Sequence, residues 1–308
     1  MRPETLRVLI PALSFAALLG AVFWLQPRAM SYMGMNLLFN LAVPIALATV
    51  AQMLVIAIND LDLSIGTFVS FVACVTATFL HDTPLLGLAI LATSIGVYAL
   101  VGVLIHVRAL PSIVVSLGMS FVWGGLAVLI LPAPGGSAPG WVRALMTAKP
   151  PVLPMAMVAS GVVAAVAHLV VMRSSFGVAL RGVGGNARSV ERAGWSVLRL
   201  RAATYALAGL FAVLAGVSLV GLTTSADANI ALRYTLLSIA GVILGGGEFT
   251  GGRVSAVGAV IGALTLTLAS SFLTFLRLPP DWQIGAQGAI LILVLAIRLV
   301  LNRREARG

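Results

Sequence analysis

Charge is what this chain has least of. Of its 308 residues, 9% are Asp, Glu, Lys or Arg, against 60% hydrophobic. A soluble domain of this length could not cover its surface with so few charges, so the soluble classes are excluded. Cysteine is confined to Cys74, inside an apolar run, which rules out an internal disulfide. No Cys/His spacing suits a metal, and no cofactor is expected. No Gly-x-x-x-x-Gly-Lys-Ser/Thr run occurs, so the usual loop for cradling ATP is missing. None of the nine acids falls in the middle of an expected span. His168 is the one ionisable residue well inside a long apolar run, and it reads more readily as a hydrogen-bonded packing residue than as a proton carrier. These absences argue against a membrane enzyme with paired carboxylates. They also argue against a self-powered secondary transporter, which stays the alternative from another class.

What is present is apolar length. Mean hydropathy is +1.09, and runs near 20 residues match a bilayer core. The expected fold is all-α, a polytopic transmembrane helical bundle of about ten spans. They fall at roughly 8–26, 36–58, 62–80, 84–106, 111–131, 152–172, 202–223, 232–247, 254–276 and 282–301. Arg2 and Arg7 ahead of Val8–Leu25 look like a secretory signal, but the run is long for one and further spans follow. An uncleaved first helix is expected. An even span count puts both termini on one side. With the termini cytoplasmic, only Arg28, Arg143, Lys149, Arg233 and Arg277 of the 19 Lys and Arg fall outside. The formal net charge of +10 therefore belongs to loops, and no nucleic-acid partner is implied. The longest external segment lies between Pro132 and Pro151, rich in Pro and Gly, and could meet a partner on the outer face. The whole chain, 1–308, reads as a single transmembrane domain.

The densest charge lies in Arg173–Arg201, where six arginines (173, 181, 188, 192, 199 and 201) gather. A short helix with visible ends sits inside it. Asn186 can cap Ala187–Ala193, and Gly194 can close it in the left-handed conformation. So short a helix must dock on something to persist. Two readings stand: a topology signal resting on lipid headgroups, or a contact site for a cytoplasmic partner through Arg188, Glu191, Arg192, Ala193 and Gly194. Two further junctions are unusual. Ile58–Gly66 places Asp60 and Asp62 between apolar runs with almost no loop, and Leu244–Arg253 is a glycine-rich break. Such breaks suit discontinuous helices in transporters. Asp60 reads equally as part of a tight cytoplasmic turn, whereas Asp62 and Ser64 favour a buried functional break. Uncharged polar residues recur at helical spacing: Ser112, Ser116, Ser120 and Trp123 on one face, Asn36 and Asn40 on another, and a Thr267, Ser270, Ser271, Thr274 cluster. Each could line a solute pathway or serve helix packing. Gly258-x-x-x-Gly262 reads as close helix packing alone.

Leu61-Asp-Leu-Ser-Ile-Gly66 resembles a motif of the ribose-type permease subunits of ATP-binding-cassette (ABC) importers. Pro111–Met119 is similar to their proline-led fifth-span motif. Ser175-Phe-Gly177, Gly184-Gly-Asn186 and Ala193-Gly-Trp195 resemble their cytoplasmic loop, and Val242–Gly246 with Thr250–Arg253 their late glycine-rich break. The motifs stand in the family's order over roughly 30–300. The resemblance implies an inner-membrane permease subunit moving a simple sugar or related polyol by alternating access. It implies an ATPase on separate cytoplasmic chains, a periplasmic solute-binding protein, and a second permease subunit, identical or not. Asn186–Gly194 then corresponds to the coupling helix that docks on the ATPase. Nucleoside or branched-chain amino-acid import is the alternative within the family. Asn59-Asp60 stands where the family usually has Gly-Gly, and Thr235 and Leu237 stand where acids are common.

Overall fold

The computed structural model describes residues 3–276 and the isolated positions 282, 285, 288, 289 and 292; for 3–8 and 10 it describes the backbone alone. The expected last span, 282–301, and the basic residues Arg2, Arg277, Arg298, Arg303, Arg304 and Arg307 lie outside the described residues.

Thirteen α-helices run through the described residues: α1 (Pro3–Leu25), α2 (Tyr32–Leu38), α3 (Ala42–Ile56), α4 (Ile65–Ala77), α5 (Phe79–Asp82), α6 (Pro84–Val107), α7 (Ser112–Ile130), α8 (Gly140–Met146), α9 (Met155–His168), α10 (Ser175–Arg192), α11 (Val197–Thr223), α12 (Tyr234–Leu244) and α13 (Ala256–Phe275). A π-helical turn, Leu169–Arg173, prolongs α9. Among the described residues there is no strand, only an isolated antiparallel bridge between Gly135 and Ala226. Six helical segments are long and apolar enough to cross a membrane, and a seventh is formed if α2 and α3 count as one span bent by 41°.

Every residue of α3 is buried. Around it pack α11, α12, α13 and α9, while α11 also carries α6 and α4. Lipid is as apolar as leucine, so helices here are held by close backbone approach and by polar contacts rather than by hydrophobic burial. The tightest pair is α12 with α13. Gly241 and Gly245 on one face Gly262 and Gly258 on the other, and a Cβ on Gly262 would land on the Gly241 carbonyl oxygen. The spacing at Gly258 and Gly262 thus meets a matching spacing on its neighbour. Between α6 and α11 the contact is of another kind. The Tyr205 ring lies against Gly102 and the Tyr98 side chain against Gly209, so each tyrosine is seated on the other helix's glycine.

Several expected spans differ in form. The run 36–58 breaks at Phe39–Leu41, whose backbone leaves the helical region, and becomes α2 plus α3. The external segment 132–151 contains α8, which packs on α11. Residues 224–233, between α11 and α12, turn back into the bundle. Ala226, Ala228 and Ala231 are buried there. The helix that follows, α12, has only 11 residues. The Thr267, Ser270, Ser271 and Thr274 hydroxyls all donate to carbonyls of α13 itself, and Ser271 also reaches Leu38 at 3.1 Å, tying α13 to α2.

Gly262→Ala should force α12 and α13 apart and lower stability by about 1–3 kcal/mol. Gly161→Ala, on α9 with open space around it, should leave the thermal midpoint of the purified protein essentially unchanged. A midpoint as high for Gly262→Ala as for Gly161→Ala would contradict the backbone contact.

Candidate functional site

The site begins where α3 stops. Asn59 takes the left-handed conformation, φ 62°, which asparagine tolerates better than most residues. The Asp60 N–H then closes the helix end on the Val55 carbonyl at 3.2 Å. With its backbone turned this way, the Asn59 amide reaches two other elements. Its Nδ2 donates to the Gly184 carbonyl of α10 at 2.6 Å, and its Oδ1 accepts from the Gly251 N–H at 3.1 Å. Next to it, Asp60 accepts from Arg201 Nη2 at 3.3 Å and from the Tyr205 hydroxyl at 3.2 Å, both on α11. Burial pushes the Asp60 carboxyl up from its usual range, while the Arg201 guanidinium and the Tyr205 and Ser112 hydroxyls pull it down.

From Leu61 to Ser64 the chain is neither helix nor exposed loop. Without water, each of its backbone groups needs a protein partner. The Leu61 N–H donates to Ser112 Oγ at 3.1 Å and the Leu63 N–H to Ser116 Oγ at 3.0 Å, both on α7. Asp62, 1% exposed, accepts from the Ser64 N–H and Oγ, each at 2.7 Å, and from the Tyr98 hydroxyl of α6. The first turn of α4 is held by Thr235, whose Oγ1 accepts from the Gly66 N–H at 3.0 Å. Ser70 Oγ accepts from the Ala231 N–H at 3.0 Å. Asp62 and Ser64 therefore lie in a buried helix break. Asp60 lies at its edge, in an ion pair that shields most of its side chain. The residues after Ile58 turn inward instead of looping out, and three donors satisfy the Asp62 carboxylate there.

The proposed pathway residues divide. Ser112 and Ser116 come together on the 61–63 backbone, and Trp123 is buried between Phe68 and Phe71, at 4.8 and 5.0 Å between ring centroids. Ser120, half-exposed, bonds its own helix at Leu117. Within one chain α7 packs on α4, and Ser112 also lines a cavity of about 460 Å³ together with Asn59, Asp60, His106 and Arg201. Asn36 on α2 and Asn40 in the bend do not share a helical face, because the 41° break falls between α2 and α3.

The arginine-rich stretch is mostly helix. Ser174 caps α10 by accepting from the Gly177 N–H at 3.0 Å. At Asn186 the backbone becomes extended, φ −159° and ψ 98°, and splits α10 in two. Asn186 Oδ1 then accepts from the Ser189 N–H at 3.3 Å, capping the second part. Gly194, φ 87°, ends it. The Gly194 N–H bonds the Glu191 carbonyl at 2.9 Å and the Trp195 N–H bonds that of Val190 at 3.2 Å, the paired closure that left-handed glycine allows. Arg188, Glu191, Arg192, Ala193 and Gly194 are all exposed, with Val190 buried beneath them. The first part of α10 is docked by backbone approach. A Cβ on Gly184 would land on the Ala57 carbonyl oxygen, and one on Gly252 on that of Arg181. Helix α10, the end of α3 and the glycine-rich turn 245–255 are therefore one unit, with Asn59 bonded to the other two.

Sequence reasoning missed Asn59, Tyr98, Arg201 and Tyr205 as members of this assembly. Tyr98 had a usable signal, the one tyrosine in the 24-residue apolar helix α6. Arg201 had none, being one arginine among six.

A polytopic bundle with a broken helix at its core and a capped helix docked on that break is the architecture of a transport protein. The family described as branched-chain amino acid transport system / permease component matches residues 34–295, and the chain belongs to it. It is a membrane-embedded ABC-importer permease subunit, not an enzyme. The chain is 28% identical over 282 residues to the probable ABC transporter permease protein YphD of Escherichia coli, covering 89% of this chain and 83% of that protein. It is 27% identical over 272 residues to the galactofuranose transporter permease protein YtfT of the same organism, covering 85% and 78%. It is 26% identical over 306 residues to the E. coli ribose import permease protein RbsC, covering 95% and 94%. No solved structure matches the chain.

Tyr98→Phe removes one of three donors to a buried carboxylate and should cost about 1–3 kcal/mol. Thermal unfolding of the purified variant checks this, and a midpoint equal to that of the unmodified protein would mean that the Tyr98 hydroxyl does not hold Asp62.

Proposed function

We propose that the chain moves a simple sugar or related polyol across the bacterial inner membrane by alternating access, as the permease of an ABC importer. Its relatives named for ribose and galactofuranose support that solute class. In this reading the subunit is a single domain of ten spans with both termini cytoplasmic. It pairs with a second permease subunit, takes solute from a periplasmic binding protein, and is driven by ATPase subunits on the cytoplasmic side.

The observation that carries the reading is the two-sided docking of α10. Its exposed end, Asn186–Gly194, offers Arg188 and Arg192 one turn apart to a partner's carboxylates. Just before its kink, the Gly184 carbonyl accepts from Asn59, three residues ahead of Asp62 in the buried break. A push on the exposed helix is thereby delivered to the break between α3 and α4. The pathway lies along that break, with Asp62, Ser64, Ser112 and Ser116 shaping it, Ser120 and Trp123 further along α7, and Asn36 and Asn40 toward the outer face.

Gly194→Val tests the coupling role. No atom crowds Gly194, so the substitution acts only through the backbone, where a β-branched residue at positive φ costs about 1–3 kcal/mol. The variant, and separately Arg188→Glu with Arg192→Glu, should insert normally, lose uptake and co-purify poorly with the ATPase, the charge reversals most clearly at low salt, where exposed charges are least screened. Retained ATPase association together with solute-stimulated hydrolysis in both would reduce the stretch to a topology signal.

Orientation has its own test. Cysteines introduced as Arg188→Cys and Ser137→Cys in a Cys74→Ala background should label from opposite sides with an impermeant thiol reagent. Labelling of both from the periplasm would overturn the ten-span arrangement.

A further inference from the structure

A cavity of about 490 Å³ opens between the end of α9, α10 and the start of α13. Its wall carries Arg181, Arg253 and His168 and no carboxylate. Arg253 is held from outside the wall by Glu248 at 3.3 Å. Arg181 has no ion pair among the described residues: its Nε donates to the Gly177 carbonyl of its own helix at 3.3 Å. The positive end of the 20-residue helix α13 lies at the same place, where Ser255 caps it and also lines the cavity. The rest of the wall is apolar, with Met172, Val178 and Val257. Met172 lies in the π-helical turn after α9, beyond Val162 and Val166 of α9 and Leu169 of that turn, which are 57%, 44% and 60% exposed.

Charge of one sign at one end, with exposed apolar side chains beyond the other, makes a wall for an amphiphile, not for a free ion. We propose that this cavity binds the phosphate of an anionic phospholipid, with the acyl chains lying along Val162, Val166 and Leu169. Basic pockets between helices at the cytoplasmic surface meet the leaflet where such lipids are enriched. The ligand would rest on the first part of α10 and on the Gly251–Val257 segment together, the two elements that the Asn59 amide also joins. The site depends on neither the identity of the solute nor the coupling role of Asn186–Gly194, and its test uses no transport assay.

Native mass spectrometry of the delipidated full-length chain, titrated with phosphatidylglycerol or phosphatidylcholine, reads occupancy directly. Phosphatidylglycerol should bind more tightly than phosphatidylcholine. Arg181→Gln should weaken it roughly fivefold, the scale of one basic residue at an anionic surface, and Arg181→Lys, which keeps the charge, should restore most of that loss. Arg199→Gln, an exposed arginine outside the cavity, should change little. An equal loss from Arg199→Gln would mean diffuse attraction and overturn the site, as would unchanged affinity in Arg181→Gln. Inorganic phosphate should not displace the lipid at concentrations where the lipid saturates; if it does, the ligand is a soluble anion and the lipid assignment fails.

Discussion

A peptide group inside a membrane has no water to fall back on, and the rest of this structure follows from how one short segment meets that constraint. From Leu61 to Ser64 the chain gives up helical hydrogen bonds, with Asp62 and Ser64 buried. Ser112 and Ser116 accept its N–H groups, Ser64 and Tyr98 donate to Asp62, and Thr235 receives the Gly66 N–H in the first turn of α4. The partners from outside the segment come from three different helices, so the break cannot form unless α6, α7 and α12 are already in their places. Irregular backbone is tolerated in a bilayer only under such conditions. The segment is therefore both the least regular part of the core and the part on which most elements agree.

The same economy governs contact with the outside. The first half of α10 reaches the core through glycines instead of long side chains: Gly184 against Ala57 and Gly252 against Arg181. Backbone-to-backbone contact is stiff, because no rotamer change can absorb a displacement. Asn59 adds directed hydrogen bonds to the same place.

Much of this was readable in the residues. Asn186 and Gly194 mark the ends of a helix because capping and left-handed closure are local matters, settled by side-chain chemistry within a few positions. The Gly258, Gly262 spacing announced close packing for the same reason, although nothing in it named Gly241 and Gly245 as the opposing surface. Burial of Asp62 was suggested by Asp and Ser set between apolar runs. What the chain did not disclose are agreements between distant positions. Ser112 and Ser116 have the spacing of a pathway lining and of a packing face alike, and the choice depends on what stands opposite, here the Leu61 and Leu63 backbone. The bend between α2 and α3, the inward turn of 224–233 and the shortness of α12 were equally hidden, since hydropathy does not distinguish a helix from an apolar turn that is buried.

The shortness of α12 has a further consequence. Eleven helical residues extend about 16 Å, roughly half of a hydrocarbon layer about 30 Å thick. Residues 224–233 and 245–255 on either side are non-helical, so the depth that α12 does not cover falls to turns, whose buried N–H groups need protein partners of their own. The Ala231 N–H finds one on Ser70 of α4 at 3.0 Å, and the Glu248 N–H one on the Arg253 carbonyl at 2.9 Å.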